Sequence, residues 1–315
     1  MIPVLLLLAG LFCLWLGTEL TVRNATSLAS RLGLSEFFIG MTILAFGTDL
    51  PELIVTVNGA LHNLQGDESS GIIVGNAIGS SISQISVVIG VAALASYLTI
   101  ASHRIPNIAI ELIGSTVLLF LVSIDGVINW NDGAILILAF CLYFFSLVRR
   151  ENRRRESASS QPTLFPANSG WKLAALILGL GIVILGSELV LDSGIQLAER
   201  WQVRQSFIGA ILIGLGSSLP ELAISIGAVI RGKTSLTIGN VIGSNIFDLL
   251  IPLGIASLLA EIRVPDIVLV VDLPYLFVIS ILVVFFLNRE RGLQRYEGAF
   301  LIVLYLAYVG LKWIT

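Results

Sequence analysis

One stretch of this chain is written twice. Residues 38–53 read FIGMTILAFGTDLPEL and residues 207–222 read FIGAILIGLGSSLPEL. Phe38 maps onto Phe207 and Glu52 onto Glu221, an offset of 169 that also carries Gly17-Thr18-Glu19-Leu20 onto Gly186-Ser187-Glu188-Leu189. Downstream, GNAIGSS at 75–81 returns as GNVIGSN at 239–245, with an offset of 164. The difference falls in the connection between the two motifs, where a change of loop length costs little. A duplication this long and this ordered makes the chain two copies of one structural unit.

Each copy is a membrane unit. Of 315 residues, 56% are hydrophobic and 12% charged, with a mean hydropathy of +0.95. A soluble domain carries roughly 25% charged residues. Apolar runs able to cross ~30 Å of hydrocarbon recur along the chain. Ten spans are expected, near 2–22, 36–61, 70–95, 107–123, 130–148, 171–191, 206–230, 235–260, 267–287 and 297–314. The first has no basic segment before it and no small-residue cleavage site after it, so it is expected to be retained.

Five spans per copy is an odd number, so the second copy must enter the bilayer from the opposite side. Inverted repeats of this kind belong to secondary transporters, with the substrate site at the midplane where the repeats meet. The expected fold is an all-α integral membrane protein of ten transmembrane helices in two inverted five-helix repeats. Residues 1–148 form the first repeat, 149–170 a basic hinge loop, and 171–315 the second repeat.

Basic residues set the orientation. Connections from odd to even spans carry Arg23, Arg31, Arg104, Arg149, Arg150, Arg153, Arg154, Arg155, Lys172, Arg231, Lys233, Arg289, Arg291 and Arg295. The other side has Arg200, Arg204, Arg263 and Lys312. The richly basic side is therefore expected in the cytoplasm, with both termini outside and the chain multi-pass in the cell's inner (plasma) membrane.

Four carboxylates fall near the middle of spans: Asp49 and Glu52 in the second, Glu221 in the seventh, Asp248 in the eighth. Each costs at least ~2.5 kcal/mol at that depth. No Lys or Arg lies at the same depth, so bound cations or protons remain to neutralise them. Pro51 and Pro220 free the carbonyls of Gly47 and Gly216 four residues back, and such carbonyls are tolerated where they line a cavity or bind an ion. Thr48, Ser217 and Ser218 add hydroxyls. An all-oxygen site is hard-cation chemistry, and Ca²⁺ takes roughly 6–8 oxygens. Transition metals would favour His or Cys. The only such residues are His62, His103, Cys13 and Cys141, none of them near the acids.

The segments G-T-D-L-P-E-L and G-S-S-L-P-E-L, with G-N-A-I-G-S and G-N-V-I-G-S-N-I-F-D, resemble the paired repeats of the sodium/calcium exchanger family of cation/calcium antiporters. The resemblance covers nearly the whole chain and is that of a short prokaryotic-type member without the long cytoplasmic regulatory domain. It implies that Glu52 and Glu221 are the central ligands for Ca²⁺ and Na⁺. It further implies that Thr48, Ser217, Ser218, Ser80, Ser244 and Asp248 complete the sites, with Gln84 at the position paired with Asp248. Spans 2, 3, 7 and 8 would form the ion core and spans 1 and 6 would slide across it.

The first copy departs from the family pattern, with Asp49 where Ser is usual, Ser81 where Asn is frequent, and Gln84 where Asn or Asp is frequent. The extra carboxylate makes proton coupling, or exchange of another divalent cation for protons, the rival to sodium coupling. A cation channel would favour rotational symmetry about a pore. An intramembrane aspartic protease using Asp49 and Asp248 gives no reason for duplicated glutamates. The expectation is thus a transporter and not an enzyme, with no cofactor. Its partners are membrane lipid and inorganic cations, with neither nucleic acid nor an obligate protein partner.

Blander roles suit other residues. The Gly75/Gly79 and Gly239/Gly243 pairs read as close-packing positions. Asn76 and Asn240 read as interhelical donors, Glu19 and Glu188 as interface anchors, and Glu111 and Asp272 as structural.

Overall fold

Proline and glycine decide where these apolar runs stay helical and where they break. The computed structural model describes residues 2–65, 69–157, 169–200 and 216–314. Its helices are α1 (Ile2–Leu32), α2 (Glu36–Thr48), α3 (Leu50–Gln65), α4 (Ser70–Ala95), α5 (Ile105–Ser123) and α6 (Trp130–Ser157). They continue with α7 (Ser169–Arg200), α8 (Leu219–Ile230), α9 (Thr234–Leu259), α10 (Val268–Glu290) and α11 (Arg295–Ile314). Four two-residue strands complete the described structure: β1 (Leu98–Thr99), β2 (Val127–Ile128), β3 (Ile262–Arg263) and β4 (Gly292–Leu293).

Among the described residues, seven helices are long and apolar enough to cross a membrane: α1, α4, α5, α6, α7, α9 and α10. The α2–α3 pair, bent by 46°, makes an eighth if it is one span. Of the expected seventh span, 206–215 lies outside the described residues, as do Arg204 and positions 158–168 of the hinge. Helix α11 occupies the place of the expected tenth span, but its apolar stretch is confined between Glu297 and Lys312. Helix α1 runs ten residues past the expected end at 22. Its polar last turns stay helical because Ala25, Leu28 and Ala29 keep one face buried while Arg23, Ser30 and Arg31 point outward.

The strands define two faces. β1 pairs antiparallel with β4, and β2 with β3. The connection after α4 therefore meets the one before α11, while the connection after α5 meets the one after α9. Thr99 and Thr234 hydroxyls join the first face, 3.0 Å apart. That face also carries the α1–α2 turn and Arg231–Lys233, and is the basic one. The α3–α4 connection and the β2–β3 pair lie on the opposite face.

Helix α9 is the centre of the core, with every residue from Leu236 to Leu250 buried. Its glycines allow this: a methyl at Gly243 would lie 2.6 Å from Met41 Cα, and one at Gly40 2.8 Å from Asn240 N. Helices α1 and α7 form a separate pair at the edge. A methyl at Gly17 would meet Val183 N at 2.7 Å and one at Gly186 would meet Leu14 N at 2.8 Å, so their backbones touch through small residues.

Ion pairs stitch the rim. Glu111 pairs with Arg150, and Asp272 accepts from Tyr308 Oη (2.9 Å) and Lys312 Nζ (2.7 Å), consistent with the structural roles expected for both acids. Glu151, near the C-terminal end of α6, accepts from Ser35 N (2.6 Å) and Ser35 Oγ (2.8 Å), while Arg154 donates to Gly33 O (2.6 Å). The α1–α2 turn is thereby clamped to the helix that leads into the hinge.

Candidate cation site

Two helices, α3 and α8, begin at equivalent positions of the duplicated motif. Asp49 separates α2 from α3 with φ −85 and ψ 2, and Ser218 caps α8 with φ −88 and ψ 10. Pro51 and Pro220 follow in the first turn of the next helix, where a missing N–H is no loss. Glu52 and Glu221 sit in those same first turns, the end of a helix that favours negative charge. Gly47 and Gly216 both face α7, with Leu180 packed on the first and Leu191 on the second.

The remaining residues come from the middle of α4 and α9. Gln84 Nε2 donates to Asp248 Oδ2 (2.9 Å), and Asn245 Nδ2 donates to Ser81 O (2.7 Å). Ser80 and Ser217 hydroxyls stand 3.4 Å apart. Thr48 Oγ1 donates back to Leu44 O (3.1 Å), leaving its lone pairs for another partner. Asn76 Nδ2 reaches Glu52 O (3.3 Å) and Thr56 Oγ1 (3.4 Å), the interhelical donor expected of it. Asn240, expected to do the same, has no partner among the described residues. Asn245 was not singled out in the sequence, although it is the repeat counterpart of Ser81.

The acids are sealed from solvent, Asp49, Glu221 and Asp248 at 0% exposure and Glu52 at 1%. Asp49 lies within Coulombic reach of the other three. Among the described residues, both carboxylate oxygens of Glu52 and Glu221, Asp49 Oδ2, Asp248 Oδ1, and the hydroxyls of Ser218 and Ser244 have no hydrogen-bond partner. Buried charges without partners are strongly unfavourable, so this oxygen-rich space suits a cation. No three His, Cys or acidic side chains among the described residues converge as a ready metal cluster. A cation here would draw on one or two carboxylates at a time, with hydroxyl and backbone oxygens completing its shell.

A cavity of about 540 Å³ reaches the site between α3, α4 and α7, on the side of the α3–α4 connection. Its lining includes Glu52, Asn76, Ser80, Ser217 and Glu188. The repeat counterparts of its wall are packed: Ile224, Leu236 and Asn240 are buried where Val55 and Ile72 are exposed and Asn76 is half-buried, while Ser80 and Ser244 are buried alike. The approach from one side is hollow as far as Glu52, whose carboxylate is still buried, and its counterpart is packed.

The sequence profile of the family described as "Sodium/calcium exchanger protein" matches residues 2–149 and 171–314. The chain belongs to the sodium/calcium exchanger family. Among its relatives is the sodium/calcium exchanger MaX1 of Methanosarcina acetivorans, 27% identical over 97% of both chains. Another is the putative antiporter CaxA of Alkalimonas amylolytica, 30% identical over 98% of both. In structure the chain resembles the sodium-calcium exchanger NCX_Mj soaked with zero Na⁺ and Ca²⁺. That match has a TM-score of 0.85 and 28% identity, covering 98% of this chain and 99% of the other. The all-helical membrane fold is thus the exchanger fold, and the protein is a multi-pass membrane protein and secondary transporter.

Proposed function

We propose that this exchanger moves Ca²⁺ against Na⁺ by alternating access through the buried carboxylate site. The observation that carries the reading is the set of four buried acids, Asp49, Glu52, Glu221 and Asp248, most of whose oxygens have no geometric hydrogen-bond partner among the described residues. Ca²⁺ or several Na⁺ ions would satisfy them in turn, with Thr48, Ser217, Ser218, Ser80 and Ser244 hydroxyls, the Gln84 side chain, and Gly47 and Gly216 carbonyls as further ligands. Neither load can share the acids with the other, and that exclusion would enforce exchange. The names of the relatives support this choice of ions.

The architecture we propose is ten spans in two inverted repeats, 1–148 and 171–315, joined by a cytoplasmic hinge at 149–170. The exchanged strand pairing, β1 with β4 and β2 with β3, supports it. The basic face would lie in the cytoplasm of the inner membrane, with both termini outside, so the open cavity would face outward.

A second reading rests on Asp49, a fourth buried carboxylate opposite Ser218 in the repeat. Ca²⁺ neutralises only two of four charges, which leaves room for a coupled proton. Radiolabelled Ca²⁺ uptake into proteoliposomes, driven by an outward Na⁺ or an outward H⁺ gradient, separates the two. Sodium-driven uptake abolished by Glu52→Gln is the expected result. Uptake driven by protons alone would replace sodium with the second reading, and no uptake under either gradient would reject both.

A further inference from the structure

Outside the ion site, one contact ties the α1–α7 pair to the core at the sealed face. Arg231 caps the C-terminal end of α8, where its Nη1 donates to Gly227 O (2.7 Å) and its Nη2 forms an ion pair with Glu19 of α1. Thr18 of α1 packs directly against Gly227 beside it. Ile224 and Ala228 of α8 belong to the same buried apolar cluster as Val22 and Ala25 of α1. These side chains close the route whose counterpart is the open cavity. The repeat gives the contrast its meaning: Glu19 corresponds to Glu188, which lines that cavity. The same position is tied down where access is shut and faces the cavity where access is open.

We propose that Glu19 and Arg231 form a latch that holds α1, and α7 with it, against the end of α8 while the site is open to the opposite face. Switching access requires the pair to separate. The rigid backbone packing of α1 on α7 at Gly17 and Gly186 makes one latch sufficient for both helices. Both side chains are about a third exposed, 38% for Glu19 and 32% for Arg231. A pair at that exposure is weak enough to break in each cycle. Glu19 and Arg231 are positioning residues and touch no ion. The inference rests on the alternating-access reading above.

The test counts openings of the sealed route, so it does not depend on which ions are carried. In a background with Cys13→Ala and Cys141→Ala, Ile224→Cys is placed behind the latch and its reaction with a charged thiol reagent is timed in purified full-length protein. Glu19→Gln and Arg231→Gln should each speed the reaction about two- to fivefold. The charge exchange Glu19→Arg with Arg231→Glu should bring it back toward the parent rate. Leu112→Cys, buried in α5 away from both routes, should stay equally protected throughout. Unchanged Ile224→Cys rates in both single variants, or equal acceleration at Leu112→Cys, would overturn the latch. Absence of Ca²⁺ transport would count against the antiport reading and leave the labelling result intact.

Discussion

Gln84 and Asp248 hold equivalent places in the two repeats, and they touch, with Gln84 Nε2 donating to Asp248 Oδ2 over 2.9 Å. Ser81 and Asn245, another equivalent pair, also touch, through Asn245 Nδ2 and Ser81 O at 2.7 Å. Two pairs of counterparts meeting where α4 and α9 pack together is the contact pattern that the proposed two-fold relation of the halves requires. The asymmetry at that contact, an amide in one repeat and a carboxylate in the other, orients one oxygen of Asp248 and leaves Oδ1 for the site.

Gln84→Ala should loosen Asp248. A hydrogen bond to a charged acceptor contributes ~1.5–3 kcal/mol, so the Ca²⁺ concentration for half-maximal uptake should rise about tenfold or more. Saturation curves in proteoliposomes measure this. An unchanged half-saturation value would mean that the amide does not order the carboxylate.

Glu52 and Glu221 come from equivalent first turns and are equally buried. Glu52→Gln and Glu221→Gln should therefore be matched in effect. Each should cut Ca²⁺ uptake about a hundredfold, since losing a charge from a buried set costs several kcal/mol. Both variants should keep the parent's elution volume in detergent. A large loss in one and a small loss in the other would assign the ion to a single repeat.

Glu52, Glu221 and their prolines were legible in the sequence because each motif is local and occurs twice. Asp49 stood out because it breaks the repeat, and the structure puts it at the helix break opposite Ser218. What stayed hidden depends on long-range meetings. Glu151 clamps Ser35 across 116 residues, and neither carries a pattern that names the other. That Glu188 lines the same cavity as Glu52 was equally hidden, because depth along one helix says nothing of the neighbour it faces. The helical continuation of α1 past its apolar run stayed hidden because such a run measures contact with lipid, while Ala25, Leu28 and Ala29 are held by the core. The expected boundary near 206 and the motif residues Phe207–Leu215 fall outside the described residues.

Gly243 is a packing position with a measurable cost of substitution. A methyl there would lie 2.6 Å from Met41 Cα and 2.8 Å from Met41 O, both backbone atoms that cannot turn aside. Gly243→Ala should lose ~1–3 kcal/mol and lower the melting temperature in detergent by several degrees. Gly114→Ala, where a methyl meets nothing within 4 Å among the described residues, should leave melting nearly unchanged. Equal melting of the two variants would mean that α2 can move away from α9 freely.

Asp49 decides how much negative charge the site must neutralise. Its counterpart is Ser218, so Asp49→Ser makes the residues before α3 and α8 alike and leaves three carboxylates in place of four. If the fourth acid carries a coupled proton, its removal should lower the ratio of proton-driven to sodium-driven Ca²⁺ uptake by about tenfold, the equivalent of one pH unit. The dependence of uptake on pH should flatten in the same variant, because the lost group is the one whose charge the proton would cancel. Asp49→Asn separates charge from shape: it keeps the planar side chain between Thr48 and Leu50 and removes the acid. Matching behaviour of the Ser and Asn variants assigns the effect to charge. A driving-force ratio and pH profile unchanged from the parent in both would rule out Asp49 as a determinant of the counter-ion.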